Sequence, residues 1–408
     1  MVVDAAPSSG DVTSRVPAWS AVFALTLCVG TLIASEFMPI SLLTPIGSEL
    51  HMTEGQVGNA IGVSGLFALV TSLSISQLTA RIDRRSVLLA LTLVMAVSSL
   101  VVTFAPNALV FMVGRALIGV VIGGFWSMSA ATVMRLVPEE QVTRALGLLN
   151  GGNALATTIA APVGSFLGQY IGWRGAFFCV VPFALATLVW QFMTLPSLPP
   201  QRSRVGGSVF RVLRRPQIPL AMLAVTTFFM GQFALFTYLR PFLENVTQVQ
   251  GAVLSAFLLA IGGAGVLGTY WVGFLLKRRL YSLLVAMPLI MAVIAVALIV
   301  LGGSAPATAL LLVGWGLVAT AAPVAWWTLI SKALPDDAEA GGGLMVAVIQ
   351  LAITAGASLG GFLFDAGGHP IAFGAGAAIL LVSSVLAFAG WRATRRSRPD
   401  LALDSTGA

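Results

Sequence analysis

The sequence predicts an all-α membrane protein: twelve transmembrane helices in two pseudo-symmetric six-helix bundles. Three observations predict it. Hydrophobic residues make up 58% of the 408 and charged residues 9%, against about 25% charged in an ordinary soluble domain. The apolar residues fall into twelve continuous runs, whereas a spanning barrel needs alternating strands of about ten residues. The chain also echoes itself at an offset of 194 to 197, where Arg84-Arg85 matches Arg278-Arg279, Arg135-Leu136-Val137-Pro138 matches Lys332-Ala333-Leu334-Pro335, and Gly164-Ser165-Phe166-Leu167 matches Gly360-Gly361-Phe362-Leu363.

Taken in order, the first run, 19–45, exceeds a signal-peptide core and lacks an A-x-A cleavage pattern, so it is expected to be retained. Runs near 57–79, 87–105, 109–134, 143–170 and 176–195 complete the first bundle. Those near 219–241, 251–276, 282–301, 307–331, 344–366 and 371–391 form the second. Helix breakers such as Ala105-Pro106-Asn107, Gly302-Gly303-Ser304 and Gly367-Gly368-His369-Pro370 separate them. The expected organisation is a tail at 1–18, a bundle at 19–195, a linker at 196–218, a bundle at 219–391 and a tail at 392–408. In the linker, Phe210, Val212 and Leu213 alternate with Arg211, Arg214 and Arg215, which predicts a short interfacial helix.

The net charge of +7 is a topological signal and does not call for nucleic acid. With both termini cytoplasmic, all of the 22 lysines and arginines except Arg115, Arg174 and Arg240 lie inside, as the positive-inside rule requires. Cys28 and Cys179 fall in separate runs and imply no disulfide framework. His51 and His369 have no companion at ligand spacing, so neither a metal nor a cofactor is expected.

One acid lies deep in an apolar run. Inserting a carboxylate at membrane depth costs about 2.5–3.5 kcal/mol, which makes Glu36 a functional candidate, with Arg115 of the fourth run the cation that tunes it. A fixed Glu36–Arg115 pair that only holds the first bundle together is the competing reading. Asp365, at the outer end of the eleventh run, is expected to be a solvated helix end in preference to a gating contact.

Parallel six-helix repeats with substrate bound between the halves are the architecture of the major facilitator superfamily, and particular residues carry that resemblance. Ser76-Gln-Leu78-Thr-Ala80-Arg81-Ile-Asp83-Arg84-Arg85 resembles the superfamily's G-x-L-a-D-R-x-G-R-R loop, Arg115 with Gly119 its R-x-x-x-G, and Ala161-Pro162-Val-Gly164 its antiporter motif. Glu36-Phe-Met-Pro39, Gly123-Gly-Phe-Trp126, Gly231-Gln232-Phe-Ala-Leu-Phe236-Thr237-Tyr238 and Val346-Ala-Val-Ile-Gln350 resemble the purine ribonucleoside efflux pump branch of its drug:proton antiporter group. The loop departs from the signature, with Ala80 in place of the acid and Asp83 in place of the second glycine. An inter-bundle lock made by that acid therefore falls to Asp83 here or is missing.

The resemblance implies a monomeric proton-coupled exporter of purine ribonucleosides in the bacterial inner membrane. Its partners are a small-molecule substrate, protons and the bilayer. Glu36 would carry the proton, Arg115 would tune it, and Arg81, Asp83, Arg84 and Arg85 would form a gating loop. An aromatic face stacks on a base, and amides and hydroxyls pair with its edge and with ribose. Candidates for that work are Trp126; Asn150, Asn153 and Thr157; Gln232, Phe236, Thr237 and Tyr238; Trp326, Trp327 and Thr328; and Gln350 and Thr354. Spacings of i, i+3, i+7 and i, i+4 put the fifth-run and eleventh-run sets each on one face. The alternatives are an exporter of amphipathic drugs or sugars, a passive facilitator and, less in keeping with one isolated acid, a membrane-embedded enzyme. Gly263-x-Gly265-x-x-Gly268, Gly147/Gly151 and Gly164/Gly168 are expected to be close-packing glycines, with no nucleotide role for the first.

Overall fold

The computed structural model describes residues 18–200, 213, 215, 218–334 and 338–397, and all statements of structure refer to these. The interfacial helix expected within the linker lies outside them, Leu213 and Arg215 apart. The first half contains α1 (Trp19–Leu50), α2 (Glu54–Leu78), α3 (Arg84–Thr103), α4 (Ala108–Leu136), α5 (Val142–Phe178) and α6 (Val180–Thr194). The second contains α7 (Ile218–Phe236), α8 (Leu239–Asn245), α9 (Gly251–Leu301), α10 (Ala305–Ala319), α11 (Ala321–Ala333) and α12 (Ala338–Ser397). Ten apolar stretches are long enough to span a membrane, and two of them, 56 and 53 residues long, suffice for two crossings each. Twelve crossings result, arranged as two six-helix bundles.

The reversals and bends follow from the sequence. α5 turns back at Gly172 (φ 72°) and α12 at Gly368 (φ 71°), backbone conformations that L side chains rarely adopt. α9 breaks at Arg279. The interruptions at Cys179, at Thr237-Tyr238 and at Thr320 come just before Pro182, Pro241 and Pro323, each of which lacks the N–H for its i−4 carbonyl and crowds it. The starts of α2, α3 and α4 carry side-chain caps: Thr53 and Gln56 form a capping box on α2, Asp83 accepts from Arg85 N, and Asn107 accepts from Val110 N.

The arginine-rich end is braced within the first bundle. Asp83 accepts from Ser197 Oγ at 2.5 Å and from Leu198 N at 2.9 Å, while Arg84 N donates to Leu198 O. Arg85 Nη2 donates to Phe192 O at 2.6 Å and Arg135 Nη2 to Pro199 O at 3.0 Å. Arg81 is exposed. Asp83 thus fastens the start of the linker to the loop between α2 and α3. Burial pushes its carboxyl up, but the hydrogen bonds from Ser197, Leu198 and Arg85 outweigh that and hold it below the usual carboxylate range. A depressed value gives stabilisation that is present above the unfolded value, near pH 4, and is lost as pH falls through the lower folded value. Protection of residues 196–200 from protease is therefore expected to be level from pH 5 to 8. Asp83→Ala should raise cleavage there by about tenfold or more, since a hydrogen bond to a charge contributes about 1.5–3 kcal/mol. Limited proteolysis of the two proteins checks this.

The bundles meet away from that end. Along α2, Gly55, Gly58, Gly62 and Gly65 fall at i, i+3, i+7 and i+10 and press on the other bundle: Gly55 on Gly361 and Asp365, Gly58 on Tyr238, Gly62 on Ser358 and Gly65 on Thr354. Ile40, Ile61 and Ala161 belong to the core of the second bundle, and Tyr238 to a core cluster of the first, so the two interlock. Asp365 is exposed, as expected of a helix end, and it also bonds across the seam. It accepts from Thr53 Oγ1 at 2.6 Å and from Gly55 N at 2.9 Å, a carboxylate on the N-terminus of α2, where free N–H groups favour an anion.

Candidate coupling and substrate site

α1 carries two internal prolines, and each frees a carbonyl four residues back. Pro39 frees Ser35 O, and Arg115 of α4 takes it, Nη1 donating at 2.8 Å. Its Nη2 donates to Glu36 O at 2.9 Å and to Ser64 Oγ at 3.3 Å, and its Nε to Ala60 O at 3.4 Å. The guanidinium is wholly buried, so its fork is matched to helix carbonyls where water is absent. Pro45 frees Ser41 O, and Arg240 Nη1 of the second bundle donates to it while Arg240 Nε pairs with Glu244 at 2.8 Å. Pro162 likewise leaves Thr158 O without its helical donor, and Gly262 of the second bundle packs directly against it.

Glu36 is 3% exposed. The described ion pairs, Arg174–Glu49 and Arg240–Glu244, do not include it. Its carboxylate instead meets the side chain of Gln350 on α12, with Arg115 as the nearby charge. The competing reading of a fixed Glu36–Arg115 ion pair is not what the geometry shows. Arg115 is spent on backbone, and the Glu36 carboxylate faces the opposite bundle. It does so near the level of Gly65 and Thr354, the last of the glycine contacts along α2.

Beside Glu36, Phe37 enters a pocket between the bundles shared with Thr157, Gln232, Phe233, Phe236 and Trp315. Phe37 stacks on Phe233 across the interface, centroids 6.0 Å apart and planes at 28°, and Phe236 meets Phe233 edge-on at 6.2 Å. Three candidates from the sequence, Thr157, Gln232 and Phe236, line this pocket; Gln350 lies at Glu36.

The other candidates lie elsewhere. Asn150 is exposed and donates to Leu146 O, and Asn153 O accepts from Thr157 Oγ1. Trp126 packs edge-on against Phe125 in the first bundle, and Trp326 is buried against Phe228 in the second. Trp327 is 37% exposed, and Thr328 Oγ1 bonds back to Val324 O. Thr354 Oγ1 donates to Gln350 O and backs onto Gly65. Thr237 is buried with Oγ1 unpartnered. Tyr238 is sealed in the seam, its hydroxyl donating to Ala357 O at 2.7 Å and its ring stacked on Phe364. Gly164, C-terminal to Pro162, brings α5 onto Ser41 and Met38 of α1, and Gly168 packs on Leu42. Gly265 and Gly268 pack on Thr320 and Leu317, as close-packing glycines should. Gly147, Gly151 and Gly263 do not: an added Cβ would meet nothing within 4 Å.

Two features escaped the sequence reading. Trp315, 1% exposed, sits in an all-apolar stretch without a polar neighbour to draw attention. The other is the α2 glycine register, which is present in the sequence as a spacing of i, i+3, i+7, i+10.

Residues 24–342 match the family model described as Major Facilitator Superfamily. A protein of Pseudomonas aeruginosa named transcription regulatory protein OpdE is 54% identical over 372 residues, covering 90% of this chain and 92% of that protein. The purine ribonucleoside efflux pump NepI of Salmonella paratyphi B is 39% identical over 383 residues, covering 93% and 96%. Among solved structures, a bacterial homologue of the human lysosomal transporter Spinster, inward-facing and occupied, superposes with a TM-score of 0.77 at 15% identity, over 94% of this chain and 98% of that one. The human organic anion transporter MFSD10 gives 0.66 at 17% identity, over 91% and 100%.

Proposed function

Because the chain belongs to the Major Facilitator Superfamily, we propose that it is a proton-coupled efflux transporter of purine ribonucleosides working by alternating access. The observation that carries this reading is the Glu36 carboxylate, buried in one bundle and met by Gln350 of the other. A carboxylate whose polar neighbour rides on the opposite bundle changes its environment whenever the bundles rock, which would tie proton uptake and release to conformation. The adjoining aromatic pocket with its amide and hydroxyl suits a nucleoside, in keeping with the name of the Salmonella relative. With the arginine-rich end cytoplasmic and both termini inside, the contacts described here close the outer side of the bacterial inner membrane, and one chain suffices.

The test is gradient-driven uptake of labelled inosine into inverted vesicles, wild type against Glu36→Gln. Wild type should accumulate inosine only with an imposed proton gradient, and the variant, folded and inserted, should lose at least about 90% of that accumulation. A variant that still accumulates inosine would sink the coupling role. The name of the Pseudomonas relative favours a second reading, in which a transporter of this architecture influences gene expression through the molecule it moves. Purified protein in liposomes separates transport from any such influence.

A further inference from the structure

We propose that Trp315 and Gln232 form the subsite that reads the edge of the base; this rests on the nucleoside reading above. Trp315 Nε1 and Gln232 Oε1 are both buried and both without a hydrogen-bond partner, and both residues line the one pocket beside Phe37. A buried donor left unpaired costs about 1–3 kcal/mol. Phenylalanine at 315 would fill most of the same space without that penalty, so the indole N–H is explained by something that comes to meet it. The same holds for the amide oxygen of Gln232, which shares the lining with Phe37, Phe233 and Phe236, while the hydroxyls of Thr157, Thr158 and Thr320 on that lining are spent on helix carbonyls.

The complement of this pair is a planar ring presenting one acceptor and one donor on its edge. A purine base does so, with O6 and N1–H in inosine or N1 and N6–H in adenosine, and neither ribose nor a simple hydrocarbon drug does. Aromatic rings at near-parallel and edge-on angles supply the faces for stacking. Trp315 is set for this by the break that follows it: Pro323 interrupts the helix at Thr320, whose hydroxyl is held on Gly265 O at 2.7 Å, which joins α10 to α9. Base recognition therefore belongs mainly to the second bundle, while the proton group belongs to the first.

The experiment is equilibrium binding of inosine and of purine riboside, which keeps ring acceptors but lacks the edge N–H. It uses purified full-length wild type, Trp315→Phe and Gln232→Leu, with thermal unfolding as the check on folding. Wild type should bind inosine about tenfold more tightly than purine riboside. Gln232→Leu should bind the two equally, and Trp315→Phe should weaken both by about tenfold while keeping the preference for inosine. Folded variants that bind both ligands as wild type does would overturn the subsite and leave the nucleoside reading intact. A wild type that binds neither would overturn the nucleoside reading itself, and the subsite with it. Should one variant not fold, the other decides alone.

Discussion

Arg115→Met is expected to lower the stability of the protein by about 2–6 kcal/mol, since two buried helix carbonyls each lose their donor at about 1–3 kcal/mol. The reason is the carbonyl that Pro39 has freed. Ser35 O has no helical donor, Arg115 Nη1 supplies one at 2.8 Å, and no water reaches a site this deeply buried. Arg115→Lys should fall between wild type and the methionine variant, because an ammonium is a compact point charge and cannot span Ser35 O and Glu36 O as the planar fork does. Thermal unfolding in detergent ranks the three. Adding Glu36→Gln to Arg115→Met is expected to recover little of the loss, since the guanidinium bonds the Glu36 backbone and not its carboxylate. Full recovery in the double variant would mean instead that charge pairing with the acid is what Arg115 is for.

The second large effect is expected at Gly58. Even a Cβ there would lie 2.7 Å from Cε1 of Tyr238, whose ring is held by Ala357 O and Phe364 and cannot move aside. Gly58→Leu should therefore hold the bundles apart at this end. Overpacking costs about 1–3 kcal/mol, which shifts a two-state balance by about 5–150-fold. Disulfide cross-linking of Thr53→Cys with Asp365→Cys, with Cys28 and Cys179 replaced by serine, reads the closed state directly. The cross-link should form readily in the parent and fall by at least about fivefold with Gly58→Leu, and transport should fall with it. Equal cross-linking in both would show that the seam tolerates the side chain and is no gate.

The fold was legible in the sequence because lipid leaves few options. Run length, cation placement and Gly/Pro punctuation set the twelve crossings, and even the interruptions at Thr237-Tyr238 and Thr320 can be traced to Pro241 and Pro323. The site was legible in part. Glu36 stood out because a lone acid in an apolar run is costly, and Gln350 because an amide can pair with the edge of a base. Their meeting across the two bundles depends on a long-range contact that no local pattern encodes. Tyr238 looked like a cavity residue by type, yet it sits under the seam because the bend before Pro241 turns it against Gly58 and Gly361. Trp315 failed to signal for the opposite reason: only packing decides whether an indole N–H is left without a partner. The Asp83 substitution in the loop signature was visible, but its use to fasten the linker start at Leu198 was not.

Pro45 has one further consequence for motion. While the bundles are together at this end, Arg240 satisfies the Ser41 carbonyl. In the proposed alternating access they part there, the arginine leaves with its own bundle, and proline has no N–H with which to close the helix again. Only solvent is left to take that oxygen. The opened end therefore has a fixed hydration point on α1, five residues from Glu36 and so about 7.5 Å along the helix axis. Under the proposed coupling, water drawn there would bring a source of protons within reach of the carboxylate in the state that faces that side, and would be expelled as the arginine returns.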